Sequence, residues 1–275
     1  MKSKTRLDAP FSFFRFMVTI VTTLAVFALL VRLIAPEIFF RSIEMPLWKW
    51  IIVFLFGHFG CAFAEFFFHR YFLHRPFPLL GRLYRQHTLH HGLTNVHFIR
   101  KEDEMGKVFN RYPIIEDKQH EASYFPWHSL ASFIGVFLPV IAFAQWLFPS
   151  FPIFLCAPAT IAWSMFLYEI VHMIEHLSFE KFWLKRINHP KWGRFWKSTY
   201  CFHLRHHANV ELNENISGFF AIPIADFLFK TYAPWPRAFG DGEIVAKEEF
   251  HRNEPCPVSI IRILDRFADR YLQTA

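Results

Sequence analysis

Ten of the sixteen histidines fall into four tight clusters: His69 and His74; His87, His90 and His91; His172 and His176; His203, His206 and His207. Imidazole unaccompanied by thiolate suits iron, zinc or copper. Ten imidazoles are more than one ion can use, so the pattern calls for two ions. Burying so many rings without a metal is costly, and a proton relay or pH switch has no need of triplets. His58, His97, His120, His128, His189 and His251 stand outside the clusters and read as structural residues.

Residues three and four apart share one face of a helix. His87, His90 and His91 therefore point one way, as do His203, His206 and His207, and His172 sits one turn from His176. The five-residue step from His69 to His74 does not fit a regular helix, so the helix is expected to end or distort near His74-Arg75-Pro76, where proline disfavours continuation. Glu65 lies four residues before His69, and Glu169 three before His172. A carboxylate near a membrane interior needs a partner, and metal-bound imidazoles commonly donate their second N–H to a carboxylate. Glu65 and Glu169 are candidates for that supporting role; the alternative is that they face water at the interface. One local string competes: His172-Met173-Ile174-Glu175-His176 reads H-x-x-E-H, a zinc-peptidase signature with Glu175 activating water. It uses two histidines and leaves eight idle.

Four apolar runs must position these residues: Phe16–Ile34, Leu47–Phe68, Leu130–Phe148 and Phe151–Ile174, each near the length of a membrane span. The chain is 53% hydrophobic and 20% aromatic, with 37 phenylalanines, yet mean hydropathy is only +0.19. One integral membrane domain with a polar cap fits that balance. Lys2, Lys4 and Arg6 precede the first run, which is too long for a signal core and reads as a retained anchor. Lys and Arg then crowd the segments after the second and fourth runs, giving an N-in, C-in topology with all four clusters on the cytoplasmic side. The net charge of +7 belongs with anionic lipid headgroups, and no nucleic-acid motif is present.

Only Pro149-Ser150 separates the last two runs, which predicts a tight hairpin, with kinks from Pro139, Pro152 and Pro158. Between Leu177 and Tyr200, Phe182, Trp183, Trp192, Phe195 and Trp196 mix with Lys and Arg, as in a headgroup plane. Val96–Trp127 reads as a long polar connector, either an ordered loop over a substrate entrance or a solvated link. Ser217–Tyr232 reads as a dipping or packed segment. Ile260, Ile263, Leu264, Phe267 and Tyr271 recur at helical spacing, predicting an amphipathic helix docked on the cap. The scattered cysteines 61, 156, 201 and 256 read as free thiols. The expected fold is all-α: an anchor and outer loop over 1–46, a catalytic domain over 47–232 and a tail over 233–275.

On these residues the chain resembles the fatty acid hydroxylase superfamily, which includes sterol desaturases, C-4 sterol methyl oxidases and lipid 2-hydroxylases. The matching text is His69-Arg70-Tyr71-Phe72-Leu73-His74, then Leu83-Tyr84-Arg85-Gln86-His87-Thr88-Leu89-His90-His91, then His172 to His176, then His203-Leu204-Arg205-His206-His207. Asn215, Gly218 and Asp226-Phe227-Leu228-Phe229-Lys230-Thr231-Tyr232 match a closing signature, with Lys230 where glycine is common. The resemblance spans Leu47 to Tyr232. It implies a four-helix transmembrane base under a cytosolic helical cap that encloses a dimetal site. The ten clustered histidines would be the ligands, with Glu65, Glu169 and Asp226 behind them. The implied cofactor is two iron ions, with zinc as an inactive substitute because it cannot change oxidation state. The implied reaction is O2-dependent hydroxylation or desaturation of a fatty acyl or sterol lipid drawn from the bilayer. The chain has no His-Pro-Gly-Gly haem motif, which implies a separate electron-donor protein. Tyr271–Ala275 carries no retrieval signal, which favours a bacterial inner membrane over the endoplasmic reticulum. The alternatives are the zinc peptidase above and a non-enzymatic metal carrier or sensor.

Overall fold

The structure is a computed structural model that describes residues 12–77, 80–101, 104–116, 118–119, 123–252 and 254–274. Lys2, Lys4, Arg6 and His120 lie outside them. Helix α1 (Phe13–Ile34) starts at Ser12, whose hydroxyl accepts the Arg15 N–H. A short α2 (Pro36–Ile43) begins on a proline, whose fixed φ suits a first turn. Helix α3 (Leu47–Phe68) runs without a break into a π-turn, His69–Leu73. A cap helix α4 (Gly81–Leu93) follows.

Two strands come next, β1 (Val96–Arg100) and β2 (Met105–Asn110), before the long helices α5 (Ser129–Leu147) and α6 (Ile153–Glu175). A second π-turn (Phe179–Trp183) and a short α7 (Leu184–Ile187) lead to the second cap helix, α8 (Gly193–His206). The chain closes through α9 (Ile224–Phe229), β3 (Ile244–Ala246), α10 (Lys247–Phe250) and α11 (Ser259–Thr274).

Four helical stretches are long and apolar enough to cross a membrane: Phe13–Ile34, Leu47–Leu73, Ser129–Leu147 and Ile153–Glu175. Their outward faces expose Leu33, Phe56, Val136, Phe143 and Trp146, an inside-out pattern that water would penalise and lipid would not. Pro139 and Pro158 sit inside α5 and α6, and both helices continue past them. The α5–α6 hairpin is closed by Gln145: its carbonyl accepts the Phe154 N–H (2.9 Å) and its amide donates to Phe151 O (3.0 Å).

The fold is predominantly helical, but the all-α reading needs correcting. The polar connector after Val96 folds into a strand pair, and the tail adds a third strand, giving an antiparallel β1-β2-β3 sheet. Alternation in Val96-His97-Phe98 and Gly106-Lys107-Val108 carries the strands. Gly106 is required because a Cβ there would sit 2.2 Å from the Phe98 ring. Val96, Val108 and Val245 pack with Tyr112, Trp183, Tyr200, Leu204, Trp235, Phe239 and Phe250 into one cap core. Segment 233–275 thus shares a core with the segments before it. Phe182, Trp183 and Trp196 pack in this core rather than facing lipid, while Trp192 and Phe195 remain exposed.

The tail helix forms as expected but docks by another face. Ile261 is fully buried against Phe66, Ala225 and Phe229, whereas Ile260, Ile263 and Phe267 point outward.

Candidate metal centre

Four stretches deliver the ten clustered imidazoles. The π-turn carries His69 and ends at His74. Five residues on a regular α-helix place two side chains about 140° apart. The wider π-turn brings the His69 and His74 rings to 4.8 Å between centroids. The last turn of α6 carries His172, with His176 at its C-terminal end. Helices α4 and α8 carry the two triplets.

The ten rings sort into two groups of five. His69, His74, His87, His91 and His206 form group A; His90, His172, His176, His203 and His207 form group B. Within each, the candidate ligand atoms lie within 4.8 Å of one another. The triplets are shared crosswise. The i,i+4 pair of α4, His87 and His91, goes to group A while His90 goes to group B. The i,i+4 pair of α8, His203 and His207, goes to group B while His206 goes to group A. A helical triplet at i, i+3, i+4 straddles the gap between two centres, and two such triplets serve both equally. The groups abut, with the His91 and His207 rings stacked at 4.2 Å.

The nitrogens facing inward are Nε2 atoms. In group A, His69–His87 are 3.0 Å apart, and His74–His206, His74–His87 and His87–His91 are each 3.2 Å apart. In group B, His176–His203 and His203–His207 are 3.1 Å apart. A metal–nitrogen distance of about 2.1 Å makes the edge of an octahedron about 3.0 Å and that of a tetrahedron about 3.4 Å. The spacing and the count of five donors both fit the larger coordination number.

The outer nitrogens fix the tautomers. His69 Nδ1 faces Glu214 O at 2.6 Å, His206 Nδ1 faces Leu212 O at 2.7 Å, and His176 Nδ1 faces Tyr112 O at 2.7 Å. A carbonyl only accepts, so these Nδ1 atoms carry the proton and leave Nε2 as a lone pair. Thr94 spends its hydroxyl proton on His90 O and so accepts from His207 Nδ1 (3.0 Å). Ser123 spends its own on Gln119 O and accepts from His90 Nδ1 (2.9 Å). Five of the ten rings are thereby set with unprotonated nitrogen pointing inward. Nε2 of His90 and of His172 is buried without a hydrogen-bond partner, as suits an atom that awaits a cation.

Buried electrostatics keep the rings neutral. Burial, aided by neighbouring imidazoles, holds His74, His87, His90, His91, His203, His206 and His207 well below the ordinary histidine value. Neutral imidazole is the form that binds metal.

The three supporting carboxylates named from sequence lie elsewhere. Glu65 accepts from the Ser217 and Gly218 amides and the Ser217 hydroxyl. Glu169 accepts the Phe125 N–H at 2.9 Å. Asp226 accepts from the Glu214 and Asn215 amides and the Thr231 hydroxyl, and burial raises its carboxyl to about 6. Among the described residues none of the three bonds an imidazole. Asp226 acts at one remove, because it anchors the amide of Glu214, whose carbonyl holds His69.

The carboxylates beside the rings are two others. Glu214 Oε2 is 3.5 Å from His69 Nδ1 and its Oε1 is 3.1 Å from Arg70. Glu175 Oε2 is 3.9 Å from His203 Nδ1, the outward nitrogen. Glu175 could have been suspected from its place before His176; Glu214 had no signal, since its approach depends on a loop closing over 145 residues. Against protein-family models, curated proteins and solved structures alike, the chain has no match.

Proposed function

We propose that each group of five histidines holds one iron ion and that the protein is an O2-dependent lipid hydroxylase or desaturase. The observation that carries this reading is the pair of equal imidazole sets, each spaced like ligands of one ion, with two rings of each set at the end of a helix long and apolar enough to cross a membrane. Iron would supply the one-electron steps that O2 reduction and oxidation of a strong C–H bond require; zinc, fixed in one oxidation state, would not.

The chain's own residues bind, orient and exclude water. Glu214, Leu212, Tyr112, Thr94 and Ser123 hold rings in the metal-binding tautomer. Leu73, Leu83, Phe125 and Tyr168 line a slot beside His87 of about 20 Å³, room for a single water. A fatty acyl or sterol chain reaches the centre from the bilayer by widening this slot. Hydroxylation of a C–H bond to C–OH consumes O2, two electrons and two protons and releases water. The electrons come from a separate donor protein. Positive-inside logic sets the cap and centre on the cytoplasmic side, in a bacterial inner membrane or the endoplasmic reticulum.

Glu175 supports oxidation over hydrolysis. A peptidase base must share the metal's side of the ligand rings, and this carboxylate lies nearest the outward nitrogen of His203. Mass spectrometry of total lipids from cells with and without the protein tests the reading. An oxidised lipid that disappears with His90→Ala and with His206→Ala, while the protein still inserts, is the expected result. Full oxidation by both variants would sink it.

A further inference from the structure

Helix α11 joins the base at a level set by simple counting. Twenty residues of helix cross the roughly 30 Å hydrocarbon layer, so a span that starts at Leu47 reaches the far boundary at Phe66. Phe66 is where Ile261 packs, together with Phe63, Phe67 and Val258. Beyond this contact, Arg70 donates to both oxygens of Asp265 at 2.8 Å, Tyr71 donates to Asp265 at 3.0 Å, and Arg75 donates to Asp269 at 3.1 Å. One face of α11 is thus bolted to the cap-side end of α3 by Ile261, Asp265 and Asp269.

The rest of the helix has a composition that neither water nor a protein core explains. Ile260, Ile263 and Phe267 are exposed at 54%, 51% and 71%. Arg262, Arg266 and Arg270 recur every fourth residue beside them, and all three are exposed. An apolar stripe flanked by guanidinium groups, at the depth where a membrane span ends, is the composition of a helix seated in the boundary between headgroups and acyl chains. Long arginine stems reach toward phosphate while the apolar stripe stays in the acyl region.

We propose that α11 engages the anionic surface of the cap-side leaflet, with Ile260, Ile263 and Phe267 in the acyl boundary and Arg262 and Arg266 on lipid phosphate. The continuity of this face with the end of α3 and the sign of its charge select a lipid surface over a second protein. The inference depends on membrane insertion and not on the metal chemistry, so the two stand or fall separately.

The test uses the full chain, one copy per lipid nanodisc, with Cys61 and Cys256 replaced by serine. An environment-sensitive fluorophore is attached through Ile263→Cys, through Phe267→Cys and, as a cap control, through Glu248→Cys. Probes at 263 and 267 are expected to show blue-shifted emission, quenching by nitroxide-labelled lipids, and stronger quenching in discs containing phosphatidylglycerol. The 248 probe is expected to stay water-like. Joint replacement Arg262→Glu and Arg266→Glu is expected to remove the phosphatidylglycerol dependence. Water-like, unquenched emission at both 263 and 267 would overturn the proposal. Apolar emission untouched by nitroxide lipid would also overturn it, since protein would then cover the face. Equal quenching in neutral and anionic discs would refute the charge requirement and with it the proposal.

Discussion

Groups A and B have the same recipe in different settings. Each takes two histidines from the end of a membrane helix, an i,i+4 pair from one cap helix and a single ring from the other. Group B is buried throughout; the outer nitrogens of His90, His207 and His176 rest on neutral partners, the Ser123 and Thr94 hydroxyls and the Tyr112 carbonyl, while that of His203 lies 3.9 Å from the Glu175 carboxylate. Group A leaves His74 and His91 partly exposed and is backed by charge, through Glu214, Arg70 and Asp265. The ligand set is duplicated; its surroundings are not. Group A borders the narrow slot beside His87 and is tied through Arg70 and Glu214 to the tail helix.

The largest effects come from removing a ligand. His206→Ala and His207→Ala change adjacent residues, yet the crosswise sharing sends the losses to opposite centres. Each is expected to abolish lipid oxidation and to drop tightly held iron from two per chain to one. His206→Ala with His87→Ala should cost no more iron than either alone, because both serve group A. His206→Ala with His207→Ala should empty both centres. Iron counting on the purified variants decides, and an empty protein from His206→Ala with His87→Ala would break the two-group division.

Next in size is the charged backing of group A. Arg70 is 1% exposed between Glu214 and Asp265. Removing one member of a buried ion pair costs about 3–5 kcal/mol, because the partner is left uncompensated. Arg70→Met is therefore expected to lower the unfolding midpoint and to loosen the iron of group A while group B stays filled. Loss from both groups in equal measure would erase the asymmetry drawn here.

What was legible in the sequence follows from the range of each interaction. Apolar runs and i,i+4 histidine pairs are local, so the four spans and the two triplets could be read directly, and the five-residue step at His69 announced a distorted turn. Partners that depend on chain closure could not be read. Glu65 and Glu169 sit at helical spacing from histidines, yet Glu65 is held by the amides of Ser217 and Gly218, and Oε1 of Glu169 by the amide of Phe125, which arrive from distant segments. Glu214 reaches His69 only because Asp226 and Thr231 fold the loop around it. The sheet was missed because Val96–Asn110 is short and mixed with charge, and its third strand comes from the tail. Helix α11 was placed on the wrong face because periodicity shows which residues share a side and not which neighbour that side meets.

A smaller effect separates the groups through their hydroxyl supports. Ser123→Ala and Thr94→Ala each remove the acceptor that fixes one group B ring, His90 or His207. Losses of this kind typically weaken metal affinity about 10-fold to 100-fold. Competition with a chelator should show weaker binding in group B alone, and a matching loss in group A would count against the assignment.

The gentlest probe is acid. Burial holds the folded imidazoles below the ordinary value near 6.5, so the unfolded chain takes up protons first as pH falls. The linkage sign follows: what these neutral rings contribute to stability is complete above about 6.5 and is lost as pH falls through the lower folded values. Metal release follows the same direction, since protons and iron compete for one lone pair. His74 and His91 of group A have partial access to water, whereas all of group B is enclosed. Lowering the pH stepwise from neutrality should therefore release one iron before the other, and His74→Ala should delete the early step. A single release step that carries both ions together would show that the two centres respond to protons as one unit, despite their different surroundings.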